Sequence, residues 1–316
     1  MAQVDRSVTR EGKTLNNTPE KRNWSNGIVY HFMLLPGMVM LFIFSIVPMF
    51  GAVMAFQRFI PAKGIWGSDW VGLANFTYMF QLPDSKQIFV NTIVIALGKI
   101  SLGLLVPIFF ALLLNEVRLK IFKSTVQTIV YLPHFMSWVV LGSMLSMIFS
   151  YDGMVNGLLE FLGLEPVMFL ASNTWFRPLL ILTDTWKEFG YGTIIYLAAL
   201  TAINPALYES AALDGANRWR QIRSITLPGI FPTIVLLGTL SLGNVLNAGF
   251  DQVFNLYNPL VYETGDIIDT FVYRMGLINM QYSFATAIGL MKSVISFILI
   301  ILSYKLAAKY AGYKIF

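Results

Sequence analysis

Four side chains carry most of the chemistry this sequence offers within its oily stretches: Asp184, Lys187, Glu188 and Tyr191. They recur at i, i+3, i+4 and i+7, which puts them on one face of a helix. In a helix that begins near Pro178, Lys187 stands about 13 Å along at 1.5 Å per residue, close to the middle of a bilayer. Charge at that depth is expensive, and it faces protein or water. Trp186 lies in the same run, and Lys99, Lys292, Asn244 and Asn247 are set in comparable apolar surroundings. Two roles fit these residues. One is a polar path across the membrane. The other is structural, with Lys187 or Lys292 paired with Glu188 or Asp184 to hold helices together. The residues alone leave both open.

Other chemistries are excluded. There is no cysteine, so disulfides, thiolate catalysis and thiolate-bound metals are absent. The two histidines, His31 and His134, are too few and too far apart for a metal cluster. His134 follows Pro133 near one end of its helix and reads as a structural hydrogen-bonding residue. Gly12-Lys13-Thr14 resembles the end of a phosphate-binding loop, but Ser7 stands where the first glycine is required. No metal, no cofactor and no catalytic residue is expected in this chain.

The second chemical feature is the polar stretch from Tyr208 to Pro228. It lies between an apolar run over 179–202 and another over 230–246. Asn204 and Pro205 are a helix start, and a short helix follows over 207–213. Asp214-Gly215 is a turn pair, and a second short helix is expected over 217–225, with Pro228 starting the return to lipid. Connections in helix bundles are usually about 2–8 residues long, so a segment this long is read as a docking knob. Its Ala-rich surface permits close approach, and Trp219 offers a hydrophobic anchor.

These residues must be positioned by membrane helices. Of the 316 residues 56% are hydrophobic and 12% charged, where a soluble domain carries about 25% charged. The apolar residues come in blocks of about 20, the length that crosses a bilayer as helix. The fold class is therefore all-α and polytopic. Six spans are expected, at about 30–55, 88–114, 125–149, 178–202, 230–246 and 284–307. They are preceded by a polar tail, 1–29, and followed by a short tail, 308–316; the knob fills 203–228. Residues 73–80 form a short interfacial helix, and a further external helix is expected over 265–280 with Asp266 as its cap.

Fourteen Lys and Arg fall in the N-terminal tail, the 115–124 turn, the 203–228 loop and the C-terminus, and five fall in the three opposite loops. By the positive-inside rule both termini and the knob are cytoplasmic. The net charge of +5 sets topology and is not a nucleic-acid footprint.

The knob carries a resemblance. Glu209, Ser210, Ala211, Gly215, Ile225, Leu227 and Pro228 stand at the spacings of the hallmark of binding-protein-dependent ABC importer permeases, with Ser210 replacing its first alanine. The resemblance implies a type I ABC importer permease architecture in a bacterial cytoplasmic (inner) membrane. Tyr208, Glu209, Ser210, Ala211, Ala212, Leu213, Asp214, Gly215, Ala216, Trp219 and Arg220 then form a coupling helix and its surroundings, which dock on an ATP-binding subunit. It implies as partners a second, homologous permease, two ATPase subunits that bind ATP and Mg, an extracytoplasmic solute-binding protein and membrane lipid, but no nucleic acid.

Residues 70–76 with Asn91-Thr92 resemble carbohydrate-importer permeases. Residues 132–140, 186–192 and 249–256 resemble the subgroup tied to poly- and oligosaccharide uptake, alginate importers in particular. On that resemblance the polar path binds sugar hydroxyls through Asp184, Glu188, Asn244 and Asn247. Trp186 or Tyr191 stacks on sugar faces, and Lys187 or Lys292 meets a uronate. The alternatives are ABC import of a different small solute, an ion-driven secondary transporter or channel, which leaves the knob unexplained, and a membrane enzyme, for which no Ser/His or metal constellation exists.

Overall fold

The computed structural model describes residues 24–311; the polar tail before Trp24, with its Gly12-Lys13-Thr14 sequence, and residues 312–316 lie outside the described residues. The chain divides into an N-terminal unit up to Gly51 and a second unit from Ala52 onward. Among its described residues the first is one helical run. Helix α1, Trp24–Leu41, begins earlier than the apolar run does. It continues through a π turn, Phe42–Ile46, into Val47–Met49, where the Val47 N–H reaches back to the Phe42 carbonyl. Pro48 follows directly and has no N–H to give; the wider turn accommodates it.

The second unit opens with a two-stranded antiparallel ribbon, β1 Gln57–Arg58 and β2 Asp69–Trp70, pairing Gln57 with Trp70. Asn75 holds it to the short helix α2, Ala74–Gln81, by donating to the Ala55 carbonyl (2.8 Å) and the Gln57 carbonyl (3.1 Å). Helix α3, Pro83–Glu116, starts before the apolar run because Pro83 suits a first helical turn.

The expected third span is not one rod. Helix α4, Lys120–Tyr131, passes through a 3-10 turn, Leu132–Phe135, and helix α5, Trp138–Ile148, leaves at 102° to it. Pro133 breaks the bond ladder, and the Ser137 hydroxyl starts α5 by accepting from the Val140 N–H. His134 therefore stands at an elbow inside the span, not near its end.

A short helix α6, Met154–Phe161, leads to α7, Phe176–Thr201, and then α8, Pro205–Leu213, at 69° to α7. Helix α9 is continuous over Arg218–Gly243. The expected second knob helix is thus its first turns and not a separate element. A π turn, Ile222–Thr226, precedes Pro228 as the other precedes Pro48. Short helices α10, Phe250–Leu256, and α11, Ile268–Tyr273, lie before α12, Tyr282–Ala311. Four helices are long and apolar enough to cross a membrane, and six spans result when each bent pair counts as one.

Helix α3 packs along α7, and α9 along α12. The larger core joins Ile88 and Ile95 of α3, Phe176 and Leu180 of α7, Val253 of α10, Phe271 of α11 and Ile288 of α12. A smaller one, Ala111, Tyr196, Leu200 and Ile230, lies toward the knob. Helix α4 crosses α7 at Gly190, where an added Cβ would stand 2.1 Å from the Val130 carbonyl oxygen. Gly190→Val therefore drives backbone from backbone and is expected to lower stability by about 1–3 kcal/mol. Gly289→Ala, in α12 with nothing within 4 Å of the new atom, is expected to leave stability level or raise it by up to about 1 kcal/mol. Thermal unfolding in detergent separates the two.

Candidate functional site

Lys99 of α3 reaches the place where α9 ends. Its Nζ donates to the Ala248 carbonyl at 2.7 Å, lies 3.2 Å from the Asp184 carboxylate and bonds the Gln252 side-chain oxygen. Gln252 Nε2 in turn donates to the Leu180 carbonyl and to Thr183 Oγ1, both at 2.8 Å. The chain after Gly243 leaves the helix, and its carbonyls need donors that lipid cannot supply; Lys99 is one. Lys99 and Asp184 line an open cleft of about 410 Å³ together with Ser241, Asn244 and Asn247. Carboxamide and hydroxyl groups from the end of α9 thus face a carboxylate of α7 across the cleft, a lining suited to a polyhydroxylated solute.

One turn further along α7, a second cluster closes the α4–α5 elbow. Lys187 is buried and donates to the His134 carbonyl at 2.7 Å and to Glu188 Oε1 at 2.9 Å. His134 Nδ1 lies 2.7 Å from the other oxygen of Glu188, and its ring stacks on Tyr191 with centroids 4.1 Å apart. The break at Pro133 exposes carbonyls at the end of α4, and the ammonium of Lys187 fills one.

Of the eight side chains expected along a polar path, Asp184, Asn244 and Asn247 meet in the cleft. Lys187, Glu188 and Tyr191 form the elbow cluster. Trp186 sits about 200° round α7 from Asp184, at about 100° per residue, and is exposed away from it. Lys292 pairs with Asp269, not with Glu188 or Asp184. Sequence reasoning noted Lys99 but missed Gln252 and Thr183. No local spacing joins Gln252 to Lys99, 153 residues away.

At the end opposite the knob, the buried carboxamide of Asn91 donates to the Glu263 and Asp266 carbonyls, each at 3.0 Å. Asp266 does not cap α11, whose N-cap is Ile267. Its carboxylate accepts from Thr270 Oγ1 at 2.7 Å and pairs with Arg274. Burial pushes the Asp266 carboxyl above the usual carboxylate range, against the downward pull of Arg274 and Thr270.

The knob is built by capping. Asn204 Oδ1 accepts from the Ala206 N–H at 3.0 Å and starts α8 with Pro205 in its first turn. At the other end the Ala216 N–H bonds the Ala211 carbonyl at 2.9 Å and the Gly215 N–H the Ala212 carbonyl at 3.1 Å, a Schellman ending. Gly215 takes φ +76° there, which explains why glycine stands six residues after Glu209. Asn217 then caps α9 by accepting from the Arg220 N–H at 2.9 Å. The Tyr208 hydroxyl meets Thr226 Oγ1 at 3.0 Å and ties α8 to α9. Leu213 is 89% exposed and Trp219 70%. Glu209, Ala212, Gly215 and Arg218 border a shallow hollow between the two helices.

The elbow gives a direct test. Lys187→Met removes the donor to the His134 carbonyl and leaves Glu188 with the imidazole alone. A loss of about 2–3 kcal/mol is expected, and Lys187→Met with Glu188→Gln is expected to recover part of it. A double-mutant cycle on thermal unfolding reads the coupling; additive losses would contradict the arrangement.

The comparisons with known proteins bear on the fold and the family. Residues 103–312 match the family described as binding-protein-dependent transport system inner membrane component. The polygalacturonan/rhamnogalacturonan transport system permease protein YteP of Bacillus subtilis (strain 168) is 46% identical over 281 residues, covering 89% of this chain and 88% of that protein. Protein LplB of the same organism is 41% identical over the same shares. Two solved structures superpose closely. One is a bacterial ABC transporter involved in the import of the acidic polysaccharide alginate (TM-score 0.84, 39% identity, 90% of this chain and 97% of that one). The other is a bacterial alginate ABC transporter in complex with an alginate pentasaccharide-bound periplasmic protein (TM-score 0.85, 38% identity, 93% and 100%). The chain belongs to the binding-protein-dependent transport system inner membrane component family and is a multi-pass permease subunit of an ABC importer.

Proposed function

We propose that this chain forms one half of a saccharide path through the bacterial inner membrane and couples it, through the knob, to ATP hydrolysis by partner subunits. The observation that carries the coupling is the capped, exposed helix α8, projecting beside the first turns of α9 with Leu213 and Trp219 uncovered. In this reading the knob and both termini are cytoplasmic, in keeping with the Lys and Arg distribution. Two ATPases bind ATP and Mg, and one docks on the surface from Tyr208 to Arg220. A second, homologous permease completes the path, and a sugar-loaded binding protein delivers at the opposite end.

The substrate is an oligo- or polysaccharide. A relative named for polygalacturonan and rhamnogalacturonan and solved neighbours named for alginate make uronate-bearing chains the first candidates, alginate among them. The cleft supplies this chain's share of contacts: Asn244, Asn247 and Asp184 accept and donate to hydroxyls. Lys187 with Glu188 and Tyr191 holds the elbow behind it. Alternating access then consists of the two permease halves exposing this wall to one side and then the other.

The test is reconstitution in proteoliposomes with the second permease, the ATPases and the binding protein. Sugar-loaded binding protein is expected to stimulate ATP hydrolysis, and uptake to require it. Uptake by the chain alone without nucleotide would overturn the reading. Within that system Gly215→Glu places a side chain at φ +76°, a conformation that costs an L-residue about 1–2 kcal/mol, on the docking surface. Uptake is expected to fall at least about tenfold, the effect of about 1.4 kcal/mol. ATPase stimulation or ATPase docking is lost with it, while binding of the loaded binding protein is unchanged.

A further inference from the structure

Away from the ends of the long helices, the described residues hold three ammonium groups, Lys99, Lys187 and Lys292. Each is paired, with Asp184, Glu188 and Asp269 in that order. The membrane interior of this subunit is therefore neutral in sum and holds no free ammonium among its described residues.

Lys99 is the one that reaches the cleft. An ammonium has three hydrogens to donate. Those of Lys99 go to the Ala248 carbonyl, the Gln252 side-chain oxygen and Asp184 Oδ1, and its side chain is 9% exposed. Nothing is left over for a solute. Lys99 positions Asp184 and does not touch substrate.

What the cleft offers instead is acceptors. Asp184 Oδ2 has no protein partner among the described residues, and the side chain is 23% exposed. Asn247 gives one N–H to Asn244 Oδ1 at 3.4 Å, and Asn244 gives one to the Leu240 carbonyl at 3.2 Å. The side-chain oxygen of Asn247 is left unpartnered among the described residues, and both carboxamides are exposed. A carboxylate only accepts hydrogen bonds, and set against Asp184 it also meets like charge. A hydroxyl donates. A uronate ring keeps the two kinds of group apart: the C2 and C3 hydroxyls project from one edge and the C5 carboxylate from the opposite one. Such a ring meets these acceptors in one orientation only.

We propose that Asp184, held by Lys99, and Asn247 make the cleft a hydroxyl-reading subsite, which takes a uronate ring by its C2–C3 edge and turns the carboxylate outward, toward the second permease. This rests on the saccharide-import reading and divides the recognition between the two halves. This chain reads hydroxyls, and the positive groups that meet the uronate charge belong to the partner subunit.

The experiment uses the complete transporter in proteoliposomes, with saturating loaded binding protein and tetrasaccharides of polygalacturonan and of alginate. Uptake per ATP hydrolysed is the readout. Asn247→Met is expected to lower it about threefold, the effect of one neutral hydrogen bond. Asn247→Lys is expected to lower it at least as much, because the new ammonium replaces an acceptor and finds no carboxylate. Asp184→Asn, which keeps an oxygen for Lys99 but puts a donor in place of the free acceptor, is expected to lower it about tenfold. Uptake more than about threefold higher in Asn247→Lys than in Asn247→Met would place the carboxylate in the cleft, where an added cation attracts it, and overturns the orientation. A rise in Asp184→Asn does the same, and wild-type uptake in all three variants removes the subsite. Should Asp184→Asn fail to assemble, the two Asn247 variants decide alone, since neither touches the Lys99–Asp184 pair. Import confined to neutral saccharides overturns the orientation and leaves the import reading standing. A wild-type transporter that imports no saccharide removes both.

Discussion

Lys99 and Lys187 each donate, at 2.7 Å, to a backbone carbonyl at a place where a membrane-length helix gives up its own ladder. In water such a carbonyl bonds solvent. In a lipid-facing bundle it has no solvent, and an unmet group costs several kcal/mol. The chain breaks one span at Pro133 and ends another after Gly243, and at each of these places an ammonium from a neighbouring helix takes over the missing donor. Each ammonium is then balanced by a carboxylate of α7, Asp184 for Lys99 and Glu188 for Lys187. Helix α7 is therefore the element that both places depend on, and its close packing along α3 and across α4 at Gly190 follows from that role.

This arrangement resolves what three charges and a tyrosine on one face of an apolar helix do. Their i, i+3, i+4, i+7 spacing was readable, and so was their confinement to one face. Their division of labour was not, because the partners come from far along the chain: Lys99 from α3, His134 from the elbow, Gln252 from α10. Spacing within a helix is local information, and ion pairing across helices is not. The same limit explains Lys292, whose partner Asp269 lies in a segment too broken to be placed by hydropathy.

What was legible in the sequence was what local physics dictates. Block length and apolar content gave the spans. Asn204, Pro205 and Gly215 gave the ends of α8, and the structure adds the reason for the glycine in the Schellman bonds of Ala216 and Gly215. Proline was the ambiguous signal. Pro133 bends its span by 102°, whereas Pro228 and Pro48 are absorbed by a π turn just before them. Pro228 was read as the point where the chain re-enters lipid, and α9 instead runs straight through it. A proline removes one N–H in every case; whether the helix breaks or widens depends on what packs at that level, which is tertiary information.

The continuity of α9 bears on how the two ends of the subunit communicate. Arg218 stands at the knob and Ser241 in the cleft wall, and no break separates them. The helix spans about 39 Å at 1.5 Å per residue, and a displacement at its first turn is carried along a hydrogen-bonded rod to the residues that meet the cleft. The other route, from α8 into α7, bends by 69° before Pro205. Tyr208 and Thr226 bridge the two routes with a single hydrogen bond of 3.0 Å. In the proposed function a partner pressing on α8 therefore moves α9 through that bond and through Gly215, while α7, fixed by both lysines, stays with the bundle. The wall bearing Asn244 then shifts against the wall bearing Asp184, and the cleft between them is the element that changes shape.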